Sequence, residues 1–180
     1  MGDKPLRADA RRNRELVLAA ARDLLAADGA AVSFDTIARA AGVGVGTVYR
    51  HFPDRQALFA AVILDRIVTF ASDARGATSA NDPGEAFVAF FERLARQVAF
   101  NQALCDAMDG GLLVPEDLRA EFLAALGDLL SHAQQAGAIR ADLDVADLLD
   151  LVIGFAAAAR RGRADRILAV ATAGLRVRAS

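Results

Sequence analysis

The sequence offers very little from which a catalytic or metal centre could be built. Cys105 is the only cysteine, so no intrachain disulfide can form, and a reducing compartment is the expected setting. No histidine or basic residue adjoins it to depress its thiol, so it reads first as a small buried hydrophobe. His51 and His132 are the only histidines, and no pair has zinc-ligand spacing. Lys4 is the only lysine, which leaves no phosphate-binding G-x-x-x-x-G-K loop, and no G-x-S-x-G nucleophile turn occurs. Neither an enzyme nor a cofactor is expected.

Other absences bear on the fold. Tryptophan is missing and Tyr49 is the only tyrosine, while good helix formers dominate. No segment alternates apolar and polar residues long enough to make a strand, and no internal repeat is visible. The most apolar run, residues 151–159, is nine residues long, whereas a membrane-spanning helix needs roughly 20. Residues 1–14 are charged and lack the apolar segment of a secretory signal. The expectation is an all-α cytoplasmic protein with no membrane partner.

What is present is apolar material and an uneven distribution of charge. The hydrophobic fraction is 54%, ample for a core. The formal net charge is −2, yet residues 1–66 hold 10 Lys+Arg against 8 Asp+Glu, and residues 67–180 hold 11 against 15. Five basic residues crowd into 4–14 beside a single acid, Asp9. Positive charge gathered at one end is the asymmetry expected of a chain that meets a polyanion there.

Periodicity and punctuation predict nine helices. The first spans 11–28 and stops at Gly29; Ser33 then caps a short one over 34–41. A third covers 45–52, and Pro53-Asp54 opens a long fourth. After the loop "GATSANDPG", further helices are predicted at 84–100, 102–109, 115–136, 144–160 and 163–177, separated by Asn101, Gly110-Gly111 with Pro115, Gly137 and Gly162. The division expected is a basic unit over 1–60 and an acidic, more apolar one over 61–180, meeting within the fourth helix.

The stretch "GVGVGTVYRHF" carries the chemistry. Ala38, Gly42 at +4 and Val48 at +10 have the spacing of a helix-turn-helix. The small residue lets two helices cross, glycine takes a positive φ in the turn, and the aliphatic residue locks the second helix to the first. With Val48 and Phe52 inward, Thr47, Arg50 and His51 share the outward face and Tyr49 flanks it. Arg50 is suited to a guanine edge and its neighbours to phosphate oxygens. Gly46 lets the backbone approach the DNA, and the helix N-terminus adds partial positive charge. The glycines do not spell a dinucleotide site, which needs G-x-G-x-x-G after a hydrophobic strand.

The segment "SFDTIARAAGVGVGTVYRHFPDRQALFAAVI" resembles the DNA-binding domain of the tetracycline-repressor (TetR) family over about residues 16–66. The resemblance implies an N-terminal three-helix DNA-binding domain, a C-terminal helical domain for dimerisation and a small-molecule effector, and double-stranded DNA as partner. It implies DNA contacts from Thr47, Tyr49 and His51, a sequence-reading position for Arg50, and phosphate clamps from Thr36 and Arg55. Many relatives carry Ser and then Lys before the Gly-Thr pair; here those places hold Gly44 and Val45. An N-terminal arm bearing Arg7, Arg11, Arg12 and Arg14 is expected to compensate. The alternative, a helical ligand-binding or interaction protein with vestigial DNA binding, would not need the Thr47, Tyr49, Arg50 and His51 set.

The C-terminal part resembles a common actinobacterial-type subgroup in "AQQAGAIRADLDVADLL", a loose pattern that names no ligand. The helices at 144–160 and 163–177 are apolar on more than one face, which points to burial against a second subunit. Leu148, Val152, Leu168, Ala171 and Leu175 are the expected homodimer stripe. Seven of the ten phenylalanines lie beyond residue 66. Phe70, Phe87, Phe91, Phe122 and Phe155 are candidates to line an apolar effector cavity, with Gln97, Cys105 and Met108 adding polar or soft contacts. The function expected is a homodimeric repressor that binds a palindromic operator and is released by a small apolar effector.

Overall fold

The computed structural model describes residues 3–106 and 113–177, without the side chains of 3–7 and 102–106. Among the described residues there are eight α-helices: α1 Asp3–Asp28, α2 Phe34–Ala41, α3 Val45–His51, α4 Arg55–Ala77, α5 Pro83–Asp106, α6 Glu116–Gln135, α7 Val145–Ala159 and α8 Ala164–Leu175. None is long and apolar enough to cross a membrane. The chain divides into two compact units, with one boundary inside α4, between Asp65 and Arg66, and another near the end of α5, between Gln102 and Ala103, so that the last residues of α5 are grouped with the first unit.

In the first unit α1, α2, α3 and the start of α4 enclose a small core of Val17, Ala21, Leu25, Ile37, Val48, Phe52 and Leu58, all essentially inaccessible. A half-buried ion pair, Arg22 to Asp65 at 2.6 Å, ties α1 to α4. Local chemistry fixes the helix ends. Ser33 accepts the Thr36 amide at 3.1 Å and caps α2, and Asp54 accepts the Ala57 amide at 2.8 Å at the start of α4. Gly42 closes α2 with φ +69°, while the Val43 amide reaches back to the Ala38 carbonyl at 3.0 Å.

The second unit packs α5 as far as Gln102, α6 to α8 and the rest of α4 around one apolar cluster. Phe70 meets Phe90 edge-on at 5.6 Å, and Phe87 stacks on Phe91 at 6.5 Å. Asp144 and Asp147 form a reciprocal capping box at the start of α7. An isolated antiparallel bridge pairs Ile139 with Arg176, fastening the segment after α6 to the end of α8. Arg176 also holds Glu85 at 2.8 Å, which ties that end to α5.

Two helices differ from those predicted by more than a residue or two at an end. Helix α1 starts at Asp3, not residue 11, because "DKPLRADA" has good helix formers but no apolar stripe to betray it, and Pro5 sits harmlessly in the first turn. Residues 107–109 lie outside the described residues, and the helix predicted at 84–100 continues without a break through residues 102–106 of the one predicted next, as α5. Asn101 does not break it: its side chain accepts from Gln97 Nε2 at 2.8 Å, one turn away, instead of competing for the backbone.

Candidate nucleic-acid interface

Helices α2 and α3 form the unit that the spacing of Ala38, Gly42 and Val48 predicts. Ala38 and Val48 are buried between the helices, and Gly42 makes the left-handed turn. Helix α3 is preceded by Gly44, which supplies no side-chain cap, and the Thr47 amide in its first turn donates to the Gly44 carbonyl at 2.8 Å.

With Val48 inward, Arg50 is exposed and Thr47 and His51 are partly so. Tyr49 keeps 54% of its surface, and its ring leans on Phe34 with centroids 4.9 Å apart. That contact holds the phenol beside the start of α2, where the Ser33 and Thr36 hydroxyls share a hydrogen bond of 2.9 Å. Ser33, Phe34, Asp35, Tyr49, Pro53, Asp54 and Arg55 line one shallow groove there, in which two carboxylates stand beside the one cation.

The predicted cations fall into three settings. Arg55 is exposed, donates to the Ala30 carbonyl and lies over the Phe59 ring at 5.5 Å, so it is anchored in the free protein. Arg14 lies over the Phe52 ring at 5.2 Å, which brings α1 against the end of α3. Arg11 and Arg12 are exposed on α1, with Arg11 3.7 Å from Glu15. These arginines stand on a helix and not on a free arm, because α1 runs on to Asp3; the side chain of Arg7 lies outside the described residues. Gly46 is exposed, and a Cβ there would meet nothing within 4 Å.

Comparison with known proteins decides the family. Residues 17–62 match the profile described as bacterial regulatory proteins, tetR family, and residues 82–177 match transcriptional regulator SbtR-like, C-terminal domain. A TetR transcription regulatory protein from Mycobacterium vanbaalenii is 46% identical, covers 96% of this chain and 100% of its own, and superposes with a TM-score of 0.73. The chain belongs to the TetR family. TetR transcriptional regulator SCO0520 from Streptomyces coelicolor is 31% identical, with 92% of this chain and 99% of that one covered and a TM-score of 0.75. RolR, solved in complex with resorcinol, is 25% identical, with 92% and 87% covered and a TM-score of 0.57. No curated protein gives a significant match. As a TetR-family member the protein is a DNA-binding transcriptional regulator and not an enzyme.

The second unit treats the remaining predicted residues differently. Phe70, Phe87, Phe91 and Phe155 are buried in the apolar cluster as its packing material. Phe122 and Gln97 keep part of their surface. Neither the side chain of Cys105 nor any part of Met108 is among the described residues. For the dimer stripe the structure brings a correction. Leu148, Val152, Leu168 and Leu175 are all within 2% of full burial in a single chain, so no second subunit can cover them. Ala171 is half-buried beside them.

The outward apolar residues of α7 and α8 are instead Leu151, Ile153 and Val170, exposed at 37%, 61% and 64%. Spacing alone does not single them out, because both faces of α7 are apolar. The signal that does is charge: Asp147 and Asp150 share a stripe with Leu151 and Gly154, and acids mark the side that faces outward. Phe34, the prop under Tyr49, escapes sequence reasoning for a plainer reason, since nothing in its own spacing distinguishes it from core.

Proposed function

We propose that this regulator binds a palindromic operator as a homodimer in the cytoplasm, represses by occupying it, and leaves it when a small apolar effector enters the second unit. The observation that carries the reading is the α2–α3 pair. A short helix is held by Val48 with Arg50 outward, and the exposed Tyr49, propped on Phe34, stands beside it. One chain presents one such helix, and specific binding by this motif ordinarily uses two on two-fold related half-sites.

The exposed apolar faces of α7 and α8 support the homodimer. Ile153 and Val170 project from a hairpin at the end of the chain, and hydrophobes of that size on two adjacent helices suit a self-complementary contact. An effector of small aromatic type is supported by RolR, the relative solved with resorcinol. In this chain Phe122 and Gln97 are the predicted ligand residues with surface to offer.

The test is selection of sites from random duplex DNA, followed by titration of the complex with small phenols. An inverted-repeat site, bound by two chains and released by one of the phenols, is the expected outcome. A selected site lacking two-fold symmetry would remove the dimeric reading. Complexes indifferent to every phenol would remove the aromatic effector.

A further inference from the structure

Arg66 puts a cation where the packing of α4 calls for hydrocarbon. One stripe of that helix runs Val62, Arg66, Phe70 and Ala74, and the other three residues on it are buried. Arg66 is half-buried, and its Nε is cut off from solvent with no hydrogen-bond partner among the described residues. Its neighbours one turn away, Val62, Ile63, Thr69 and Phe70, include no acid. Asp65 adjoins it in the chain but holds Arg22 at 2.6 Å. A buried donor without a partner costs stability, and a charged one costs more. The apolar cluster alone would be better served by a side chain such as Met at this position.

Helix α5 changes character at the same level. The short connection over 78–82 folds α5 back along α4, and Phe70 meets Phe90, each about two turns from that connection. Arg66 lies about three turns from it along α4, and Gln97 about four along α5, so the two stand within about one turn of each other in height. The inner stripe of α5 runs through Phe87, Phe90 and Leu94, all buried, and then reaches Gln97 and Asn101, both half-buried. Gln97 Nε2 donates to Asn101 Oδ1 at 2.8 Å. That bond leaves both amide hydrogens of Asn101 and one of Gln97 to donate elsewhere. Both inner stripes therefore turn from hydrocarbon to polar at one level, with a guanidinium on one and amide donors on the other. Val98, Ala99 and Phe122, partly buried against the apolar cluster, supply hydrocarbon surface.

We infer that the effector is a small organic acid, with its carboxylate held by Arg66 and the Gln97–Asn101 pair and its apolar body against the hydrocarbon of the second unit. The inference rests on the effector-binding reading proposed above and adds the chemical class of the effector. A guanidinium presents a planar fork that matches a carboxylate, and the pairing strengthens where water is excluded. Charge selects a carboxylate over a phosphate. Arg75, Arg93 and Arg96 are paired with Glu121, Asp73 and Asp165. Among the described arginines of α4 and α5 in the second unit, only Arg66 keeps its charge unpaired, and one cation balances a monoanion. A phosphate monoester would bring a second charge with no counterpart. The penalty of the buried cation is then lifted only when the acid is bound.

The test uses the full-length protein with benzoate, 2-naphthoate and decanoate as probes, each beside its neutral primary amide, and a parallel series of phenols. Binding is read by calorimetry on the unmodified chain, on Arg66→Met and on Arg66→Lys. At least one acid is expected to bind the unmodified chain roughly tenfold or more tightly than its amide. In Arg66→Met the acid and its amide should bind alike, and Arg66→Lys, which keeps the charge but loses the fork, should retain part of the preference. Without any probe, Arg66→Met should melt about 2 °C or more above the unmodified chain, because an unpartnered buried donor gives way to an apolar side chain of similar length. An Arg66→Met protein that melts lower would give the guanidinium a structural role and overturn the inference. Amides that bind as tightly as their acids, or a preference for acid that survives in Arg66→Met, would overturn it as well. Phenols that bind where no acid does would remove the acid class and leave the effector-binding reading standing. A chain that binds no probe of any series would remove both.

Discussion

Gly46 has no structural duty inside its own subunit. A side chain there would meet nothing, and its backbone does not lie in the left-handed region. Gly46→Ala should therefore raise stability by about 0.5–1 kcal/mol, the ordinary gain of alanine over glycine in a helix. If the backbone of α3 approaches the DNA there, the same variant should lose operator affinity, so thermal melting and fluorescence anisotropy should move in opposite directions. Affinity that is unchanged would leave the glycine with no role in binding. Gly42 is the contrasting case: its φ of +69° is one that an L-residue adopts at a cost, and Gly42→Ala should destabilise the first unit by about 1–2 kcal/mol. Arg50 is the residue expected to read sequence. Arg50→Ala should cost roughly 1–3 kcal/mol on the cognate site and relax preference at one base pair per half-site. An equal loss on cognate and scrambled DNA would reassign the side chain to phosphate.

Among the elements, α2 and α3 are the most legible in the sequence. Their ends are written in residues with a single physical reading: Ser33 as cap, Gly42 as left-handed turn, Asp54 as the next cap. Their contact is written in Ala38 and Val48. Elements lacking such marks are harder to read. The first turns of α1 are polar all round and carry no periodic signal, so from the sequence they look like an arm and not a helix. The difference alters the prediction for Arg11, Arg12 and Arg14. A helix holds its cations in a fixed array, and Arg14 is already against Phe52 at the end of α3. Replacing Arg11 and Arg12 with alanine should weaken binding to all duplexes alike and make the salt dependence shallower by about 0.9 for each phosphate no longer neutralised. A salt dependence that does not change would place both side chains in solvent.

At the scale of the whole molecule, the hardest distinction is between a buried face and a face awaiting a partner. Hydrophobicity on two sides of α7 and α8 is visible in the sequence, but the side belonging to the core depends on where α4, α5 and α6 lie, and local spacing does not carry that. The structure assigns Leu175 to the core at 1% exposure and Val170 to the outside at 64%. The consequences of charge at the two positions should therefore differ in kind. Leu175→Glu should bury an unpaired carboxylate and destabilise the second unit by more than about 3 kcal/mol, lowering its melting temperature and yield. Val170→Glu should leave a folded chain, with its helical signal intact, that sediments as a monomer. A stable dimeric Val170→Glu protein would move the subunit contact away from α8.

Helix α3 is proposed to read a two-fold symmetric site, one helix per half-site, with Arg50 doing the reading. Sequence selection from random duplexes, run in parallel with the unmodified protein and with Arg50→Ala, tests it most directly. An inverted repeat is expected for the unmodified protein. For Arg50→Ala the same repeat is expected with preference lost at one symmetry-related pair of positions. A site without two-fold symmetry, or an Arg50→Ala protein that selects the same bases at every position, would contradict it.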